Sequence, residues 1–137
     1  MKPTSDRFGE ELTTLVDSKM TPTLRSVVGY TTDAYTVHFI RDDVAVQYNE
    51  ADIVAAIDEL RLETISRDQT NSVFQGIHGK FECRVNVFAN AVEYHFIIDD
   101  GLGVELAFDR EWLTTGESVV EDVIELLSEH TEYVQTA

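Results

Sequence analysis

The sequence predicts an α+β domain: a single five-stranded antiparallel sheet with helices on its faces. The expected element order is helix, strand, strand, helix, three strands, helix. Three features carry this expectation. Apolar residues recur at one-sided helical spacing in three places, and five segments read as strands, four of them alternating with a period of two. The last three of those segments follow one another through short turns, the pattern of an antiparallel meander. With 137 residues, 43% of them hydrophobic and including seven Phe and five Tyr, the chain suits one domain over 1–137. Its ordered core is expected at about 5–130, with frayed ends at 1–4 and 131–137.

Each element has its own local reason. Phe8, Leu12, Leu15 and Val16 form a helical stripe over Ser5–Met20. Ser5 suits its N-cap, and Thr21-Pro22 stops it because proline disfavours helical geometry in the residue before it. Leu24–Tyr30 and Ala34–Ile40 read as a hairpin across Thr31-Thr32-Asp33. In its second strand Tyr35, Val37 and Phe39 share one face, and Thr36 and His38 take the other. Asn49 caps a second helix running to about Ser66, which buries Ile53, Ile57 and Leu60 with Val54 and Ile65 alongside. Glu63 and Arg67 fall at i,i+4 on its outside, and 67–79 reads as a polar loop with Gly76 and Gly79.

Strands follow at Phe81–Phe88, Val92–Ile98 and Val104–Phe108. Phe81, Cys83, Val85 and Val87 alternate with Glu82, Arg84 and Asn86; Val92, Tyr94, Phe96 and Ile98 alternate with Glu93, His95 and Ile97. Val104, Leu106 and Phe108 alternate with Glu105 and Ala107. Asp99-Asp100-Gly101 suits the turn between the last two strands. A final helix begins at Thr114 or Thr115, where Thr114-Thr115-Gly116-Glu117 fits a capping box. It turns Val120, Val123, Ile124 and Leu127 inward and Glu117, Glu121 and Glu125 outward.

Charge narrows the setting. The chain holds 26 Asp and Glu against 10 Lys and Arg, a formal charge of −16. Its apolar content offsets the tendency of such charge toward disorder. The deficit of cations argues against gripping nucleic acid, and no apolar run approaches the ~18 residues of a membrane helix. Met1 to Arg7 shows no apolar signal core behind its charges. The single Cys83 fits a reducing cytoplasm. Acids are spread along the chain in runs no longer than two. This resembles the proteins of haloarchaea, whose surface carboxylates hold water and cations in salt; an ordinary acidic mesophile protein is the alternative. On this reading the acids coat the fold and are poor markers of function.

The element order resembles the Roadblock/LC7 fold, a relative of profilin-like and longin-like sheets. Leu24–Tyr30, Phe39-Ile40-Arg41-Asp42-Asp43-Val44 and Gly101-Leu102-Gly103-Val104 also resemble small haloarchaeal proteins of unknown function. The Roadblock resemblance implies strand order 2-1-5-4-3, leaving the third strand at an edge. It implies a non-catalytic regulator or adaptor, often of small GTPases, working as a homodimer or heterodimer. The implied partner surface lies on the third strand and the central helix, at Ile53, Ile57, Phe81, Arg84 and Val85. A charged edge protecting a monomer is the alternative.

Candidate chemistry is sparse. His38 and His95 are both expected on the face opposite the main apolar stripe, and no local third ligand makes a zinc site of them. Asp99-Asp100-Gly101 lacks the alternation of an EF-hand loop. Cys83 falls on the apolar side, away from His95, and reads as an inert hydrophobe. Neither Gly101-Leu102-Gly103 nor Gly76-Ile77-His78-Gly79 continues as a phosphate loop. Catalytic residues, metal and cofactor are therefore all expected to be none. A second reading is a small-molecule sensor with a PAS- or profilin-like pocket beside His95 and Ile97. A third is an enzyme of unidentified chemistry.

Overall fold

The computed structural model describes residues 10–12, 14, 23–115 and 119–129. Glu10–Leu12 and Thr14 are helical; the rest of the expected first helix, with its Ser5 cap and its Thr21-Pro22 stop, lies outside the described residues. The sheet comprises β1 (Leu24–Tyr30), β2 (Tyr35–Ile40), β3 (Arg84–Val87), β4 (Ala91–Asp99) and β5 (Leu102–Asp109). These five strands pair antiparallel in the order β2-β1-β5-β4-β3. The helices are α1 (Asp42–Ala45), α2 (Glu50–His78), α3 (Trp112–Thr115) and α4 (Val119–Glu129). Among the described residues, no helix is long and apolar enough to cross a membrane.

One face of the sheet is apolar. Val27, Val92, Tyr94, Phe96, Val104, Leu106 and Phe108 pack there with Leu12, Leu24, Val119 and Val123. Trp112 stacks on Phe108 at 4.8 Å between ring centroids, and Tyr94 meets Phe108 edge-on at 5.7 Å. Helical structure already begins at Trp112, ahead of the expected start at Thr114 or Thr115. Glu117, the far half of the expected capping box, lies outside the described residues.

Three expectations are corrected. The segment after Ser66 is not a loop, since α2 runs on for 29 residues to His78 and stops where Gly79 adopts φ 84°. Arg67 anchors this extension to Asp99 at 3.2 Å and Asp100 at 3.3 Å, and Asn71 Oδ1 accepts the Phe81 backbone N–H at 2.8 Å. The third strand is shorter than expected, its ladder confined to Arg84–Val87. The alternation of β2 is also broken. Val27 faces Phe39 while Val28 faces Val37, so His38 is an extra residue and the strand changes face there. Phe39 packs against the apolar core, whereas Val37 looks toward α2.

Candidate functional site

The other face of the sheet, under α2, is built differently. Asn49 starts α2 with reciprocal caps: its side chain accepts from the Asp52 N–H at 2.8 Å, and Asp52 accepts from the Asn49 N–H at 3.0 Å. Ile57, Leu60 and Thr64 then recur on its inner side and are buried. Beside them Glu63 Oε1 lies 2.6 Å from His95 Nδ1, and the Tyr30 hydroxyl bonds His95 Nε2. The Asn86 amide donates to the second Glu63 oxygen at 3.1 Å.

Protons in this relay follow from the chemistry of its members. The bond to His95 holds Glu63 below the usual carboxylate range, so it only accepts, and His95 Nδ1 donates to it. Burial pushes the Tyr30 phenol far above its ordinary value, so it keeps its proton and donates to Nε2. Tyr30 can lie across the sheet because its cross-strand partner is Gly103. A Cβ on that glycine would come 2.5 Å from the Tyr30 hydroxyl and 2.8 Å from the Phe96 carbonyl. The expected outward pair of Glu63 and Arg67 is therefore corrected: Glu63 binds His95, and Arg67 binds Asp99 and Asp100. Thr64 adds a further tie, accepting the Gly101 N–H at 3.1 Å.

Farther along the same face lies a cavity of about 260 Å³. Its apolar walls include Val28, Val37, Ile53, Ile57, Leu60 and Phe88, and Glu93 and Glu105 also line it. Glu105 is buried, and its Oε2 has no hydrogen-bond partner. Burial first, then the charges of Glu93 and Glu63, push its carboxyl well above the usual range. Glu93 is raised as well, again mainly by burial and then by Glu63. The sequence reading of acids as a surface coat fails at these positions. A Glu inside the apolar run Gly103–Phe108 was the available signal, and the general excess of acids hid it.

Nearby, Arg41 makes a two-pronged bond to Asp109 at 2.8 and 2.9 Å, and also binds Asp43 at 2.6 Å. Arg25 joins Asp109 at 3.3 Å. The Arg41-Asp42-Asp43 segment thus clamps the end of β2 to the end of β5.

On the outside of α2 the pattern changes again. Val54, Leu62, Ile65, Val73 and Ile77 are exposed, Leu62 at 59%, Ile65 at 70% and Ile77 at 83%. At 3.6 residues per turn Leu62, Val73 and Ile77 fall on the side away from Ile57, Leu60 and Thr64, and Val54 and Ile65 lie on the flank between. This corrects the expected burial of Val54 and Ile65. Beside α2 stands β3, paired only with β4 and therefore an edge, with Val85, Val87 and Phe88 exposed.

Residues 10–128 match the model of a family described as a domain of unknown function, DUF7522. The chain belongs to that family. It is also similar in structure to the crystal structure of a Roadblock/LC7 domain from Streptomyces avermitilis. That likeness has a TM-score of 0.55 at 17% identity, over 95% of this chain and 97% of the other. It shows the fold, a Roadblock/LC7-like sheet with the strand order expected from the sequence. Comparison with curated proteins gives no match.

In this DUF7522 chain the residues singled out from sequence separate. Ile57 is buried against the sheet and Ile53 is half-buried on the cavity wall, so both turn inward. Phe81 is half-buried, Arg84 bonds Ser66 at 3.0 Å, and Val85 is exposed on the edge. His95 and Ile97 are buried and neither lines the cavity. His38 and His95 do not share a face. A Cβ at Gly29, on the apolar-core side of β1, would come 2.9 Å from His38 Nε2. Cys83 packs against the apolar core, and burial pushes its thiol up to about 12. Among the described residues no group of three His, Cys, Asp or Glu is placed to hold a metal.

Proposed function

We propose that this chain is a regulatory or adaptor module acting through protein contacts, assembling as a homodimer across the β3 edge and the outer side of α2. The observation that carries this is the exposed apolar stripe Val54, Leu62, Ile65, Val73 and Ile77 beside the open edge Val85, Val87 and Phe88. In a chain of charge −16, so many exposed apolar side chains on two elements are costly to leave in water. A two-fold pairing covers the same patch on both copies and closes the strand edge. The Roadblock/LC7-like fold supports the reading, and a small GTPase is one candidate for a further partner. A non-catalytic role is favoured because the Tyr30–His95–Glu63 relay is closed over, with Tyr30 and His95 both buried. The acid-rich composition favours a cytoplasm rich in salt as the setting.

Light scattering on the size-fractionated protein in multimolar KCl tests the dimer. The expected mass is twice the 15.5 kDa of one chain. Ile65→Glu or Val85→Glu places a charge in the proposed contact and is expected to weaken it by about tenfold or more. A wild-type protein that stays monomeric at high concentration removes the homodimer.

A further inference from the structure

The cavity between α2 and the sheet is not part of the outer contact surface. Its volume of about 260 Å³ equals roughly nine waters at ~30 Å³ each, enough for a compact organic molecule of similar heavy-atom count. Most of its wall is apolar, so such a molecule would carry an apolar body. Its polar end is constrained by Glu105, which lines the cavity and whose buried Oε2 has no hydrogen-bond partner.

Register places Glu93 close to Glu105. Glu93 faces Ala107 and His95 faces Glu105 across the β4–β5 ladder, so the two acids are diagonal neighbours on one face. The one cation lining the cavity, Arg25, already binds Asp109 and Gln47. An anion would meet two acidic side chains there, and a wholly apolar guest would leave Oε2 unpaired. A group that both donates hydrogen bonds and carries positive charge answers both demands.

We propose that the cavity is a binding site for a small organic ammonium ion on a compact apolar body, with Glu105 and Glu93 as its counter-charges. The ammonium supplies donors to the unpaired Glu105 oxygen, and its positive charge favours release to solvent of the proton that burial otherwise holds on that carboxyl. Ile53, Ile57, Leu60 and Val28 enclose the body. The site lies on the inner side of α2 and does not depend on whether the chain dimerises through the outer side.

The test compares phenethylammonium with two partners of nearly the same shape, 2-phenylethanol and 3-phenylpropionate. Each is titrated into the full chain in buffered KCl at neutral pH and followed by backbone amide NMR. The ammonium is expected to bind with a Kd of about 1 mM, shifting signals from Glu93, Glu105, Ala107 and Ile57. It should bind about tenfold tighter than the alcohol, and the carboxylate should not bind. Glu105→Gln is expected to erase that preference. Ala56→Phe, at an exposed position on the cavity wall, should block every ligand without touching the core. If Glu105→Gln does not fold, Glu93→Gln takes its place in the same comparison. Equal binding of ammonium and alcohol, no saturable binding of the ammonium, or ammonium binding that survives Ala56→Phe overturns the site.

Discussion

The two faces of the sheet are held by different physics. On the apolar face, Phe96, Leu106 and Phe108 are fully buried among other hydrocarbon, and the contact is undirected. Under α2, Tyr30, Ile57 and Leu60 form a small buried apolar cluster, with Val28 and Ile53 against it. The remaining attachment is polar: Glu63 to His95, Arg67 to Asp99 and Asp100, and Thr64 to Gly101. Hydrocarbon packing supplies most of the stabilisation, whereas the directed bonds fix the register of a long helix on the sheet. The difference also explains where a cavity can persist. It lies under the N-terminal half of α2, between the polar ties and the Arg41–Asp109 clamp.

The largest effect is expected on the apolar face. Phe108→Ala removes a ring packed between Tyr94 and Trp112, and should cost about 3–5 kcal/mol. Denaturant unfolding in multimolar KCl measures it, and a cost below about 1 kcal/mol would mean that this face is not the main core. The matching change under α2 is Glu63→Ala, which strands the buried His95 Nδ1–H and the Asn86 amide. Its expected cost is about 2–3 kcal/mol. This contribution depends on pH in a defined sense. The folded value of Glu63 is depressed, so its stabilisation is complete above the ordinary carboxyl value of about 4.3 and is lost as pH falls through the folded value. The gap between wild type and Glu63→Ala should therefore shrink in acid. A gap that stays constant from pH 7 to pH 3 would sink this account of the Glu63–His95 hydrogen bond.

Glu105 is expected to act in the opposite direction and more weakly. Its folded value is raised, so between about 4.3 and that value the folded chain holds more protons than the unfolded chain. Stability attributable to Glu105 thus falls as pH rises through this interval. Glu105→Gln keeps the shape and removes the titration. The variant should gain on the wild type between pH 5 and pH 8, read from unfolding midpoints at fixed KCl concentration. A loss that grows with pH would show that the ionised carboxylate is stabilising as it stands.

What could be read from the sequence follows the same division. Period-two alternation marks a strand wherever one face is buried in hydrocarbon, and Val92–Ile98 and Val104–Phe108 lie within β4 and β5. The strand order came from a resemblance in element order and matches the structure. Alternation failed at His38, because a bulge has no period, and Val37 and Phe39 parted there. The second half of α2 was missed because its inner side is polar: Arg67, Thr70 and Asn71 give no apolar stripe, and they hold the helix by hydrogen bonds to distant partners or to its own backbone. Gly79, at φ 84°, is the legible stop of this helix. The site was hidden for a related reason. Neither Glu63 nor Glu105 is distinguishable by residue type among 26 acids, and only the third dimension separates a buried carboxylate from a solvated one.

The smallest effect on stability is expected on the outer side of α2, where it sharpens the contrast between surface and interior. Ile65 is 70% exposed, so Ile65→Ser should change the stability of the isolated chain by no more than about 0.5 kcal/mol. Its neighbour Thr64 is buried and accepts the Gly101 N–H, so Thr64→Val should cost about 1–2 kcal/mol although it keeps a similar volume. Adjacent positions on one helix would then differ because a step of about 100° takes the chain from the buried side to the exposed flank. Measured at low protein concentration, Ile65→Ser reports on the monomer alone. At high concentration the same variant should lose stability that the wild type gains by association, since a dimer contact adds to stability through mass action. If the two proteins unfold alike at every concentration, the exposed stripe is an ordinary helix surface and the pairing must be sought elsewhere on the molecule.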